Sequence, residues 1–146
     1  MAILKADKTT TMNGVTVNEY LLTNHNPNKI PMPSESMEGK IIGVTIHNTS
    51  DITTAKGTTP AEQYTRATVN GNMNDVRVHY YVDETCAWQN LPHDLSGWHA
   101  ADGDGDGNRK TIAIEYDKLT QINRQTFSPM YADLLPKPLD KAPKQS

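Results

Sequence analysis

Apolar positions in this chain gather into a few short runs of strand type separated by long polar stretches. The run Lys40-Ile41-Ile42-Gly43-Val44-Thr45-Ile46 is β-branched and nearly continuous, which predicts a central strand covered on both faces. Arg77-Val78-His79-Tyr80-Tyr81-Val82-Asp83 alternates and is aromatic, so it predicts a second strand, with Cys86 to Leu91 as a hairpin partner through the turn Asp83-Glu84-Thr85. Thr111-Ile112-Ala113-Ile114-Glu115 is the third. A period of two sends Ile112 and Ile114 to one face and Thr111, Ala113 and Glu115 to the other.

One helix start is fully marked, with Thr59 as N-cap, Pro60 at the first helical position, Glu62 to close a capping box and Asn70-Gly71 as the stop. Residues 8 to 38 are rich in Thr, Asn and Pro, with an apolar patch from Val15 to Leu22, and predict irregular chain crossing the domain surface. After Asp117, prolines at 129, 136, 138 and 143 and lysines at 137, 141 and 144 leave little periodicity, so the last residues are expected to be disordered. The class is therefore α/β: a central mixed sheet including residues 40–47, 77–83 and 111–116, flanked by helices, one of them near 60–70. The chain divides into an irregular segment 1–37, a core 38–117 and a divergent tail 118–146.

Composition changes this picture only by exclusion. A length of 146 residues suits one domain, and 36% hydrophobic with 21% charged residues suits a soluble chain with a small core. A net charge of −3 without a Lys/Arg cluster argues against nucleic acid as a partner. The single cysteine, Cys86, rules out an internal disulfide framework and fits synthesis in a reducing cytoplasm. The first residues lack the apolar core of a signal peptide, and no run is long enough to insert in a membrane.

Two runs end in groups that can bind metal or move protons. His47 at the end of the first is either a ligand fixed by a rigid strand or a histidine hydrogen-bonded at a sheet edge. Glu115 is either a solvated strand-end carboxylate or, facing a cleft beside small side chains, one whose pKa rises toward the range useful for proton transfer. Trp98 and His99 form a sugar-stacking pair or a core Trp with a bonded His. Asp102-Gly103-Asp104-Gly105-Asp106-Gly107 places acids and glycine as a calcium loop does, yet Ala113 stands at the twelfth position where a bidentate Glu is required. A flexible loop leading into the Glu115 strand is the better reading.

Taken in order, Ile46-His47-Asn48-Thr49, His79-Tyr80-Tyr81-Val82-Asp83, Trp98-His99-Ala100 and Asn108-Arg109-Lys110-Thr111-Ile112-Ala113-Ile114-Glu115 resemble the zinc-dependent N-acetylmuramoyl-L-alanine amidases. The branch resembled is that of bacteriophage endolysins, related to peptidoglycan-recognition proteins, and the resemblance covers roughly residues 38 to 116. It implies hydrolysis of the amide between N-acetylmuramic acid and L-alanine in peptidoglycan, with His47 as the first zinc ligand and Glu115 as acid/base. Asn48, Trp98 and His99 would meet the substrate, and His79 would be a substrate contact or a structural group. It also implies cytoplasmic synthesis followed by action at the cell wall after release. The family's other ligands, a His and an Asp or Cys, lie downstream of the Glu, whereas residues 116 to 146 hold no His and no Cys, only Asp117, Asp133 and Asp140. A truncated C-terminal part is therefore expected, with a flanking helix lost and apolar sheet surface exposed, or else a module that binds peptidoglycan without cleaving it.

Overall fold

A computed structural model describes residues 4–12, 14–25, 35–48, 57–103 and 105–117. Its strands are β1 (Lys8–Met12), β2 (Val15–Glu19), β3 (Gly43–Asn48), β4 (Tyr80–Val82), β5 (Ala87–Gln89) and β6 (Thr111–Tyr116). The helices are α1 (Leu22–His25), α2 (Pro60–Val69) and α3 (Asp106–Lys110). The strands form one sheet in the order β1-β2-β5-β4-β6-β3. It is mixed: β1–β2 and β4–β5 pair antiparallel, while β2–β5, β4–β6 and β3–β6 are parallel. This is the α/β class expected, with all three predicted strands and the 60–70 helix present.

The turns show why. Asp83 Oδ1 accepts from Thr85 N, Thr85 Oγ1 and Cys86 N at 2.7, 2.8 and 3.0 Å, which closes the β4–β5 hairpin as predicted. Thr59 Oγ1 accepts from Glu62 N at 3.4 Å, and the Asn70 amide bonds back to Arg66 O before Gly71 turns the chain at φ +83°. The capping box is only half made. Glu62 turns its carboxylate to the Leu4 amide at 2.8 Å, tying the N-terminal segment to α2.

Two expectations are corrected. Residues 8 to 19 are not irregular chain but a hairpin, β1–β2, in register from Lys8↔Glu19 to Met12↔Val15. Gly14 at φ +84° permits the tight turn, and alternate burial of Val15 and Val17 shows what holds the hairpin to the sheet. Strand β3 is not a central strand: it bonds to β6 alone among the described residues and is half-exposed along its length. Ile42 and Ile46, at 65% and 43% exposure, are large hydrophobic side chains left open. The position covered on both faces belongs to β6. The tail 118–146, expected to diverge, lies outside the described residues.

The sheet separates two apolar clusters. Val15, Val17, Tyr80, Val82, Ala87, Ile112, Ile114 and Tyr116 pack with Met37 on one face. Ala113, Tyr81, Val78 and Trp88 pack with Ala61 of α2 on the other, so Ile112/Ile114 and Ala113 divide as the alternation predicts. Glu115 follows Ala113 onto the α2 face.

Candidate active site

Strands β3 and β6 run parallel in register, with His47 paired to Glu115 and Thr45 to Ala113. Paired residues of parallel strands project to the same face, so the imidazole and the carboxylate emerge together near the C-terminal strand ends. Tyr81 of β4 is paired with Glu115 from the other side, and its hydroxyl reaches Thr68 of α2 at 3.2 Å. The carboxylate thus stands between an accessible strand and a buried aromatic one.

Burial sets its electrostatics. Glu115 is half-buried, and loss of solvent pushes its pKa upward, because the charged form loses most on desolvation. The same cause acts in the opposite direction on His47, lowering its pKa and favouring neutral imidazole. Glu115 therefore has the raised proton affinity expected of a partly buried carboxylate, and His47 keeps a nitrogen lone pair.

His99 approaches His47 from a loop 52 residues away in sequence, with His99 Nδ1 3.0 Å from His47 Nε2 and the rings edge-on at 78°. The His99 pKa falls to about 4, chiefly through burial and secondarily through His47, with Asp102 and the Gly107 backbone opposing. Its Nε2 is buried without a hydrogen bond. The loop is built to hold this ring. Asn108 Oδ1 accepts from His99 N and Ala100 N at 2.8 and 2.9 Å, and Trp98 exchanges both backbone bonds with Arg77 at 2.9 Å.

Asn108 is itself held: its amide donates to Asp102 Oδ1 at 3.1 Å and its Nδ2 to Gly103 O at 3.1 Å. Asp102 Oδ2 accepts from Gly107 N at 2.8 Å, so both carboxylate oxygens serve backbone amides rather than a cation. A Cβ on Gly107 would stand 2.6 Å from Ala100 Cβ, and one on Gly105 2.5 Å from Asp102 Oδ2, which is why this loop is written in glycine. The calcium reading loses its support, and the segment is a clamp for residues 98–100. Asn108 is the functional residue that sequence reasoning missed; an Asn in a Gly/Asp loop carries no local mark of burial.

The other candidates separate. His79 is fully buried with both ring nitrogens engaged: Nδ1 accepts from Ala113 N at 3.0 Å and Nε2 donates to Leu95 O at 2.7 Å. It is therefore a strut between β6 and the 90–98 loop, not a substrate contact, and burial drives its pKa down to about 3. Trp98 is half-buried beside His99, and Asn48 is exposed at the end of β3 opposite Tyr116.

Metal donors suit zinc in kind, since His47 and His99 are imidazoles with two ring nitrogens 3.0 Å apart. They fall short in number: among the described residues no three His, Cys, Asp or Glu side chains form a group able to hold a metal ion. Among the described residues, too, no helix is long and apolar enough to cross a membrane.

Comparison with known proteins places the fold and the family. The model of the N-acetylmuramoyl-L-alanine amidase family matches residues 37–134, past the core boundary expected at 117. The amidase CwlH of Bacillus subtilis (strain 168) is 39% identical over 90 residues, 59% of this chain and 34% of its own length. XlyA of the same organism is 42% identical over 72 residues, 49% of this chain and 23% of its own length, so the chain spans about a third or less of these curated relatives. Among solved structures, the catalytic domain of XlyA superposes with a TM-score of 0.56 at 31% identity, covering 71% of this chain and 63% of that one. PlyL gives 0.56 at 28% identity, covering 78% and 74%.

Proposed function

This chain belongs to the N-acetylmuramoyl-L-alanine amidase family, and from that premise we propose that it hydrolyses the amide joining N-acetylmuramic acid to L-alanine in bacterial peptidoglycan. The observation that carries the proposal is the in-register pair His47↔Glu115, with His99 against His47, at the open end of two parallel strands. In this reading a Glu115 carboxylate oxygen takes a proton from the attacking water and returns it to the departing alanine nitrogen. Burial raises its pKa in the direction such a shuttle needs. His47 is the residue that would hold the family's zinc, which when bound supplies Lewis acidity toward the scissile carbonyl. Asn48 and Trp98, flanking the pair, are the proposed substrate contacts.

The cellular setting that fits is that of a bacteriophage endolysin, made in the host cytoplasm and reaching the wall once the membrane is opened. Likeness to a solved mutant endolysin from Bacillus subtilis, with a TM-score of 0.53 at 32% identity over 71% of this chain and 62% of that one, supports it.

The test is chemical. Purified chain is incubated with peptidoglycan and newly exposed N-terminal L-alanine is quantified, with chelator and with zinc restored. Metal-dependent release of alanine termini is expected. Tight wall binding without new termini would replace the hydrolase with a binding module.

A further inference from the structure

Where β3 and β6 begin, at the end of these strands away from His47 and Glu115, lies a cleft of about 380 Å³ that the amide chemistry does not use. It is lined by Glu35, Ser36, Lys40, Arg109 and Lys110. The chain as a whole carries −3, yet three of these five side chains are cations, brought together from two distant segments. Hydrogen bonds hold the arrangement. Arg109, only 7% exposed, donates from Nη1 to Ser96 Oγ at 3.0 Å. Ser96 Oγ also accepts from Glu35 N at 2.9 Å, and Ser96 N returns to Glu35 O at 2.9 Å, which ties the 35–36 wall to the arginine. Across the cleft, Ile42 N donates to Lys110 O at 2.8 Å, fixing the two lysine-bearing segments to each other.

Guanidinium and ammonium groups donate hydrogen bonds and accept none, so the matching ligand is an anion rich in acceptor oxygens. A carboxylate offers two oxygens to three cations, whereas a phosphate group offers more, set tetrahedrally. The neighbouring carboxylates leave room for it. Glu35 is exposed, Glu38 lies outside the lining, and Asp106 meets Lys110 at 3.3 Å in an exposed pair of the kind that contributes little and yields to a stronger anion. We propose that this cleft binds a phosphate oxyanion, either free or as the phosphodiester of a polymer, at a site separate from the reacting one. The proposal does not depend on the amidase reading. Five residues of extended chain separate Lys110 from Glu115, about 16 Å, so an anchored polymer would lie at the far end of β6 from the chemistry.

The experiment is proton–nitrogen NMR of the full chain titrated with inorganic phosphate, dimethyl phosphate and acetate, at constant pH and ionic strength because salt screens such contacts. Phosphate is expected to give saturable shifts at the Lys40 and Lys110 amides and the Arg109 guanidinium. Lys40→Ala and Lys110→Ala should each weaken binding about tenfold, and Glu35→Gln should tighten it. Lys8→Ala removes the same charge at the opposite edge of the sheet and should bind as the parent does. If dimethyl phosphate saturates the same signals, the ligand is a phosphodiester; if inorganic phosphate alone does, it is a free phosphate or a monoester. Three results would overturn the proposal: no saturable shift at these residues, acetate binding as well as phosphate, or an equal loss on Lys8→Ala, which would reduce the effect to diffuse charge. The parental titration decides even if a variant does not fold, and none of these readouts uses peptidoglycan turnover.

Discussion

Strands β3 and β6 are two readings of nearly the same pattern, Gly-Val-Thr-Ile-His-Asn and Thr-Ile-Ala-Ile-Glu-Tyr, paired residue for residue. Between β4 and β3, the strand β6 buries everything except Glu115, which is half-buried. Strand β3 has one bonded neighbour among the described residues and leaves Ile46 at 43% exposure. Apolar β-branched content therefore says that a segment is a strand, whereas burial is decided by how many neighbours it acquires. The difference is useful at the site. In the proposed mechanism the buried strand would supply the proton carrier, Glu115, and the accessible strand beside it the ligand, His47, its register partner on the same face.

The strongest way to break this division of labour is at Glu115. Replacing it with Gln keeps the shape and removes the titrating oxygen, so turnover of peptidoglycan should fall by about 100-fold or more. Stability should hold or rise slightly, because burial already disfavours the charge. A variant that retains near-parental turnover would remove Glu115 from the chemistry.

Next in size is the apolar contrast on the opposite face. Ile114 is fully buried, so Ile114→Ala should cost about 2–5 kcal/mol in urea denaturation. Ile46, its register partner, should cost under about 1 kcal/mol on the same change. Equal losses would mean that β3 is covered in solution as fully as β6.

A third effect follows from His79, which pins β6 through the Ala113 amide. Its folded pKa is lowered to about 3 by burial, below the ordinary 6.5, so between those values the unfolded chain binds more protons than the folded one. Its contribution is complete above about pH 6.5 and is lost as pH falls toward 3, with a slope of at most about 1.4 kcal/mol per pH unit. His79→Gln should flatten that acid limb while lowering stability at neutral pH. An unchanged slope would show that other groups set it.

Much of this architecture was legible in the sequence where the determinant is local. Thr59, Pro60 and Asn70-Gly71 bound α2 because caps act within a turn, and Asp83 closes its hairpin for the same reason. The β1–β2 hairpin carries a strong local signal, Asn13-Gly14 between Thr-rich and Val-rich alternating segments, but the Thr, Asn and Pro content of residues 8 to 38 masks it. His47 and Glu115 were visible as strand ends. What was not legible depends on long-range packing: the burial of His79, the edge position of β3, and the meeting of His99 with His47 across 52 residues. No local preference encodes a contact made by a loop that Asn108 clamps from another element.

The smallest prediction tests whether the two strands and that clamp act as one unit. Thr45 Oγ1 and Thr111 Oγ1 are 2.7 Å apart, and Thr111 Oγ1 also lies 2.6 Å from Gly107 O. A carbonyl can only accept, so the single Thr111 proton goes to Gly107, and Thr45 must donate to Thr111. This gives a directed chain from β3 through β6 to the loop that carries the His99 clamp. Thr111→Val removes both bonds and should cost about 1–3 kcal/mol, while Thr45→Val removes one and should cost about 0.5–1 kcal/mol. In a double-mutant cycle the pair should couple by about 0.5–1 kcal/mol, because Thr45 has nothing to donate to once Thr111 is gone. Strict additivity would mean that the hydroxyls do not share this proton order, and that β3 and the loop are held to β6 independently.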